Sequence, residues 1–442
     1  MNKRRLATVG FALGIQLMTS GAYSQTKKWS LDECLHYAEE HNLTLKRMEN
    51  EVKLADASRT RAWGQLLPSV SAFASNDYNR GFGINPITNS YENLTTRSNT
   101  FSAGISVPLF AGGANIAAVR MASLESIAKA YERDQLGKDI KINIMVVYLQ
   151  ILQAKENLTV AGNQVQLAAN LVEQIRIKVT EGAAAPAQQA ELEAALASDK
   201  KKRVEAQTAL EIAKLQLIQL LQLQDPVLEI SQDSISEPVL AEEARSATDI
   251  FNSAVSRFSS VRQHETLLRS ADKAVAIAKA RRYPSLSLDA STGSRLSNIS
   301  PNPYRDQFKS NLGHYVGVSM QIPIFTRFNT VTGVRTAKIE ADQQRNRLEE
   351  EKNKLWQAIL KARTDVELAK AGYIAASESA RSQEIAFRYA TEKWNAGLIT
   401  VYDFNQSRNR LAEERLRLVQ AKFDLAFRAR ILKYFETNDI PG

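Results

Sequence analysis

The stretch Ile140-Lys141-Ile142-Asn143-Ile144 … Val172-Glu173-Gln174-Ile175-Arg176-Ile177-Lys178-Val179 decides the fold. Its apolar residues Ile140, Ile144, Val147, Ile151, Ala154, Leu158, Ala161, Val165, Ala168, Val172, Ile175 and Val179 alternate spacings of 4 and 3 without a break. A stripe sustained over so many turns is a coiled-coil seam, and its alanines let the partner helix approach closely. Shifted by 215 residues the stripe recurs as Leu355, Ile359, Ala362, Val366, Ala369, Tyr373, Ala376, Ala380, Gln383, Phe387, Ala390 and Trp394, with Gln383 its one polar member.

Each stripe lies in a helix of about 65 residues, roughly 100 Å long at 1.5 Å per residue. Such a rod does not fit inside an ordinary globular domain, so the helices belong to an elongated bundle. Gly182 and Gly397 end the two rods, again 215 apart, at the C′ position where a left-handed residue stops a helix. A return helix follows the second, with Phe404, Leu411, Leu418, Leu425 and Leu432 spaced by seven. It has about half the length of its partner. The helix opening each half, about Leu31 to Trp63 and Thr248 to Arg281, would cover the remainder end to end.

The duplication extends to strands. Pro68 to Ser75 resembles Pro284 to Ser291, and Val107-Pro108-Leu109-Phe110 resembles Ile322-Pro323-Ile324-Phe325. Phe101, Ala103, Ile105 and Val107 alternate with Ser102, Gly104 and Ser106, as Val316, Val318, Met320 and Ile322 do with Tyr315, Gly317, Ser319 and Gln321. Period-two segments of about 9 to 12 residues, including Pro68 to Tyr78 and Pro284 to Arg295, suit tilted membrane strands with apolar residues outward. A soluble sheet with one buried face fits the same pattern. Four strands cannot close a barrel, since about eight is the practical minimum. An open edge cannot face lipid, so strands of this kind in a membrane require oligomerisation. The connections Asn79 to Asn99 and Leu296 to Gly313 read as polar loops at an outer rim.

The chain accordingly divides into residues 1–24, 25–224 (a first repeat with a strand pair at about 68–108), 225–246 (a linker with Pro226, Pro238 and an acidic run) and 247–442 (a second repeat with a strand pair at about 284–323). Residues 1–24 read as a secretory signal: basic Lys3, Arg4 and Arg5, apolar Val9 to Met18, and a small-x-small site at Ala22-Tyr23-Ser24. Losing those three cations lowers the net charge from +9 to +6. The remaining Lys and Arg are dispersed among Glu and Asp on helical stretches, a solvated pattern and not a nucleic-acid surface. Cys34, the single cysteine of 442 residues, excludes an internal disulfide and reads as a small apolar helix residue.

Catalytic signatures are missing. The four histidines, His36, His41, His264 and His314, are scattered; His264-Glu265 lacks the second histidine of a zinc-protease helix, and there is neither a phosphate loop nor a G-x-S-x-G elbow. The reading is of a non-enzyme without metal or cofactor.

Two strand pairs, two VPLF/IPIF exits into very long helices, and the turns EGAAAPAQQAE and AGLITVYDFNQS together resemble the TolC outer-membrane efflux family over nearly the whole chain after the signal. The resemblance implies a mainly α fold with a small β part. Antiparallel coiled-coil helices would form an α-barrel in the periplasm, and four strands per chain a 12-stranded barrel in a homotrimer. It implies a passive outer-membrane export duct of a tripartite efflux or type I secretion system, with outer-membrane lipid around the strands. Its partners would be a periplasmic adaptor (membrane fusion) protein and an inner-membrane pump of RND or ABC type. Gly182, Gly397, Leu398 and Thr400 match adaptor-docking tips. Asp403 matches an aspartate that constricts the periplasmic entrance, and Trp394 falls where an aromatic gate residue can occur. Gln406, Gln188 and Ala185 depart from the acidic and hydroxyl residues found there in the family, which limits the entrance to one ring of three Asp403 carboxylates. Asp403 also reads as a solvated residue favoured by a helix N-terminus, and Trp394 as a continuation of the core stripe. A periplasmic coiled-coil adaptor without a pore is the alternative; it explains the hairpins but not the repeated strand pairs.

Overall fold

The computed structural model describes residues 28–85, 87–224, 227–231 and 245–440; the signal and most of the linker fall outside them. The chain runs β1 (Lys28–Trp29), α1 (Leu31–His41), α2 (Leu43–Gly64), β2 (Ser69–Ile84), β3 (Tyr91–Ala111), α3 (Ala114–Thr180), α4 (Pro186–Leu221), β4 (Glu229–Ile230), α5 (Ala247–Ala254), α6 (Ser259–Ala280), β5 (Ser285–Ser297), α7 (Tyr304–Ser310), β6 (Gly313–Gln321), α8 (Asn329–Asn395) and α9 (Val401–Thr437). The 67-residue helices α3 and α8 begin and end 215 residues apart, and so do the starts of α4 and α9.

The seam is where the stripe puts it. Ile140, Ile144, Ile151, Val165, Ala168 and Ile175 are buried on α3, as are Leu355, Ile359, Ala362, Ala369 and Ala380 on α8. Met145, Tyr148, Leu149, Leu152 and Leu171 widen the buried face of α3, because that helix packs against α2, α4, α6 and α9. A face covered on several sides is broader than a two-helix seam. Tyr148 also donates to the Ser231 carbonyl at 2.8 Å, tying the core to the short parallel β1–β4 pair, an element without a sequence signal.

Both opening helices are broken, where the sequence reading made each continuous. Asn42 ends α1 with φ −63° and ψ 119°, and its side-chain oxygen accepts from the Thr44 and Leu45 amides, so it also starts α2. An Asn able to cap favours leaving the helix. In the second half the break falls at 255–258, with Phe258 extended at φ −66° and ψ 128°. Phe258, buried at the break, packs against Tyr434 and Phe435 of α9. Burial pushes the Tyr434 hydroxyl from its ordinary 10 up to about 12. The fold thus holds this proton more tightly than the unfolded chain. Stability should be unaffected by Tyr434 below pH ~10 and decline as pH rises from ~10 to ~12, a component that Tyr434→Phe should remove from alkaline melts.

The four-stranded antiparallel sheet has the order β2-β3-β5-β6, leaving β2 and β6 as edges. The first strand pair is longer than expected. Its ladder runs from Ser69↔Ser106 to Ile84↔Tyr91, so most of Asn79 to Asn99 is strand. The Asn85 amide donates to the Ser90 carbonyl at 2.9 Å, and Phe82 stacks on Tyr91 at 5.8 Å. The second connection holds α7.

Register assigns the faces, since paired residues share one side and neighbours alternate. One face carries Val70, Ala72, Phe101, Ala103, Ile105, Phe110, Leu286, Leu288, Ala290, Val316, Val318 and Met320. The other carries Ser69, Ser71, Ser102, Ser106, Ser287, Asp289, Ser291, Ser319 and Gln321, with Phe73 and Tyr315 its large exceptions. On the polar face Ser106 and Ser287 donate to Asp289 at 2.7 and 2.9 Å.

Candidate functional site

The candidate site is the far end of the bundle, where both hairpins turn. The last turns of α3 and α8 close alike. The Ala183 amide reaches the Lys178 carbonyl (2.7 Å) and the Gly182 amide that of Val179 (3.0 Å); Leu398 reaches Lys393 (2.9 Å) and Gly397 reaches Trp394 (3.0 Å). These are paired Schellman bonds, which need a left-handed C′ residue, and Gly182 and Gly397 both have φ +73°. A Cβ at either would meet open space, so glycine is required by conformation and not by crowding.

The entries into the return helices differ. Thr400 caps α9: its hydroxyl accepts from the Asp403 amide at 3.1 Å and donates to Asp403 Oδ2 at 2.7 Å. Ala185, its counterpart, offers no side-chain cap and α4 begins on Pro186, a residue suited to a first turn. Asp403 is therefore held at an exposed helix start with its carboxylate anchored. Gln406 is exposed one turn on. Leu398 is 73% exposed at the apex, an apolar side chain offered to solvent.

Trp394 is half-buried. It stacks on Phe404 at 5.4 Å, Phe387 approaches Phe404 at 5.6 Å, and Lys178 lies 5.9 Å from the Trp394 ring centre. Leu171, Ile175, Leu192, Val401 and Phe404 form a small separate core beneath both tips, so the two hairpins end as one packed unit.

One feature of the tip lay unread in the sequence. Arg408 on α9 and Asp199 on α4 are 2% and 5% exposed, with Nη2 and Oδ2 2.8 Å apart. Arg408 Nε and Nη1 have no hydrogen-bond partner, and Asp199 Oδ2 lies at ion-pair distance without a well-directed hydrogen bond. The available signal was spacing: Phe404, Arg408 and Leu411 step by 4 and 3, and Asp199 follows the buried Leu192 by seven. Both charges stand at seam positions.

Among the described residues no helix is long and apolar enough to cross a membrane, and no three His, Cys, Asp or Glu side chains converge as metal ligands.

The family described as "Outer membrane efflux protein" matches residues 34–222 and 250–431, which spans both repeats. The chain belongs to the outer membrane efflux protein family. The outer membrane efflux protein BepC of Brucella suis biovar 1 (strain 1330) is 29% identical over 110 residues, covering 25% of this chain and 24% of that protein. The chain thus spans about a quarter of the length of the curated relative it matches. The fold is shared more widely. CusC superposes with a TM-score of 0.81 at 15% identity, covering 93% of this chain and 92% of that one. The Campylobacter jejuni CmeC outer membrane channel gives 0.80 at 17% identity over 98% and 93%. The Vibrio cholerae outer membrane protein VceC gives 0.75 at 18% over 92% and 95%. Membership selects the outer membrane for the strands and the periplasm for the helices. It also resolves the choice left open by the strand pattern and the hairpins: a membrane sheet, in a channel family and not a pore-less adaptor.

Proposed function

We propose that three copies assemble into a passive export duct, the outer-membrane component of a tripartite efflux or type I secretion system. The observation that carries this is the four-stranded sheet: one face apolar and exposed, two unpaired edges, and serine-rich residues opposite. Lipid cannot satisfy those edges, and neighbouring copies can. Twelve strands from three chains leave a wet lumen continuous with a shaft of helices roughly 100 Å long. Conductance of purified trimers in a planar bilayer is the test. Trimers that stay silent even as Asp403→Ala would end the channel reading.

At the entrance, three Asp403 carboxylates on a threefold axis would focus negative potential and favour cations. Asp403→Ala should widen single-channel conductance and lower cation selectivity about severalfold, by analogy with other acidic pore rings. Unchanged reversal potentials would remove Asp403 from the constriction. Trp394, bracketed by Phe404 and Lys178, would act there by fixing the tip that carries Asp403.

The tips themselves suit docking by a periplasmic adaptor that serves an RND- or ABC-type pump. Leu398 is an exposed apolar anchor, and Gly182, Gly397 and Thr400 hold the two apices in one shape. Gly397→Trp should impair export while trimers still form, because the added side chain enters solvent and the φ strain is local, roughly 1–3 kcal/mol. Loss of trimers in this variant would refute a docking role.

A further inference from the structure

The short helix α7 lies on the apolar face of the sheet. Phe308 packs against Phe101 at 6.2 Å, and Gln307, 2% exposed, bonds the Ser297 amide at 2.8 Å and its carbonyl at 3.0 Å. Ser294 and Leu296, on that same face, are buried beneath it. The apolar face turns toward lipid, so α7 is on the outside of the barrel wall and not in its lumen. Between α7 and the strands is an apolar groove of ≈ 390 Å³ lined by Ala72, Ala74, Phe101, Ala103, Phe308 and Leu312.

Depth follows from register. From Phe110 to Phe101 the outward residues are apolar, a run of ~30 Å along the strand at ~3.4 Å per residue. At a ~40° tilt that is ~23 Å along the membrane normal, close to the ~25 Å apolar band of outer-membrane barrels. The groove therefore opens at the upper edge of the hydrocarbon. Above it on the same face stand Arg97, paired with Tyr78, and Arg80, paired with Thr95. Both lie ~10–15 Å higher by the same rise and tilt. Arg305 and Lys309 are exposed one turn apart on α7. The acidic strand residues of this region, Asp77 and Glu92, fall on the lumen face; Asp306 of α7 is the acidic residue beside the groove.

We infer that the groove under α7, with Arg80 and Arg97 above it on the strands and Lys309 exposed beside it on α7, is a binding site for a phosphorylated glycolipid of the outer leaflet, one acyl chain lying between Phe101 and Phe308 and the phosphates meeting the cations. Apolar wall and cationic rim are stacked in the order of such a lipid's own tail and head. The inference rests on the outer-membrane placement of the strands, not on the tip or the conductance.

The test uses full-length trimers incubated in mild detergent with purified lipopolysaccharide, separated by gel filtration, and assayed for glycolipid per trimer. Wild type should retain it against a roughly tenfold excess of phosphatidylglycerol. Arg80→Gln/Arg97→Gln/Lys309→Gln should retain at least about tenfold less, since each cation near an anionic lipid surface counts for severalfold and three multiply. Ala72→Trp, which fills the groove at a lipid-facing position, should also lose it, while the charge-conserving Arg80→Lys/Arg97→Lys/Lys309→Arg should keep it. Conductance should be the same in all four proteins, so a failed duct and a failed lipid site are told apart. Equal retention by wild type and the Gln variant, or displacement by phosphatidylglycerol as effective as by lipopolysaccharide itself, would overturn the proposal. Should the Gln variant not trimerise, Ala72→Trp and the phosphatidylglycerol competition on wild type decide it.

Discussion

Arg408→Met should cost about 3–5 kcal/mol, the usual effect of stranding one member of a buried ion pair. The mechanism is specific. With side chains 2% and 5% exposed, neither Arg408 nor Asp199 has water to fall back on. Removing Arg408 leaves Asp199 charged in an apolar seam between α4 and α9. Asp199→Leu should cost a comparable amount for the opposite charge. The double variant should recover to near wild type or beyond it. The native pair is not well satisfied: Arg408 Nε and Nη1 lack acceptors, and each buried donor without a partner costs about 1–3 kcal/mol. Replacing both charges by well-packed apolar groups removes that debt along with the pair. The effect belongs to the tip end of the bundle. Hydrogen exchange of α4 and α9 should report it first, through faster opening in each single variant and restored protection in the double. Additive costs in this double-mutant cycle, with no coupling, would show that the two charges are solvated and independent.

The ion pair also marks what could be read from the chain and what could not. The rods, their 215-residue repetition and their glycine stops were legible, because a 4-and-3 stripe and a C′ glycine each state a physical requirement at a known spacing. The same spacing rule hid Arg408 and Asp199. A charge on a helix is normally solvated, and nothing local says that two charges 209 positions apart face each other in one seam. The strands were legible where serine alternated with valine or phenylalanine. From Asn76 to Ser98 that alternation lapses into Asn, Arg, Thr and Gly, yet the ladder continues. It is held by backbone pairing and by Phe82 against Tyr91; the alternation of Tyr78, Phe82 and Ile84 with Asn79, Gly81 and Gly83 is broken by Arg80 and lacks an apolar counterpart on the returning strand. Asn42 was visible as a residue but not as a break, because capping shows only when the chain actually turns there. Of the tip, Gly182 and Gly397 were plain as helix stops from type and order, while Thr400 entered only through the family resemblance and its cap on Asp403 was not legible. The tie between Trp394, Phe404 and Lys178 was not, since it joins the two repeats.

Gly112→Ala should be among the most damaging single-methyl changes in the molecule, at about 2–6 kcal/mol. Two left-handed residues turn each strand pair into its long helix: Gly112 and Gly113 in the first half (φ +61° and +84°), Arg327 and Phe328 in the second (φ +52° and +62°). The pairs are again 215 apart, so the geometry is repeated although the residue types are not. Positive φ alone therefore does not demand glycine at this turn; the second half tolerates the strain at two bulky residues. What singles out Gly112 is its surroundings. A Cβ there would stand 2.5 Å from the Ala280 carbonyl oxygen and 2.9 Å from Tyr283 Cβ, where α6 ends and the chain heads into β5. Backbone cannot swing aside as a side chain can. The variant bears ~1–3 kcal/mol of conformational strain plus ~1–3 kcal/mol of overpacking. Gly113→Ala is the control, because a Cβ at Gly113 meets nothing within 4 Å and only the strain remains. Heat dissociation of detergent-solubilised protein should rank wild type, Gly113→Ala and Gly112→Ala in falling order. Equal losses for the two alanine variants would mean that the junction yields freely, and that the close approach of the first exit to α6 does not fix the angle between barrel and shaft.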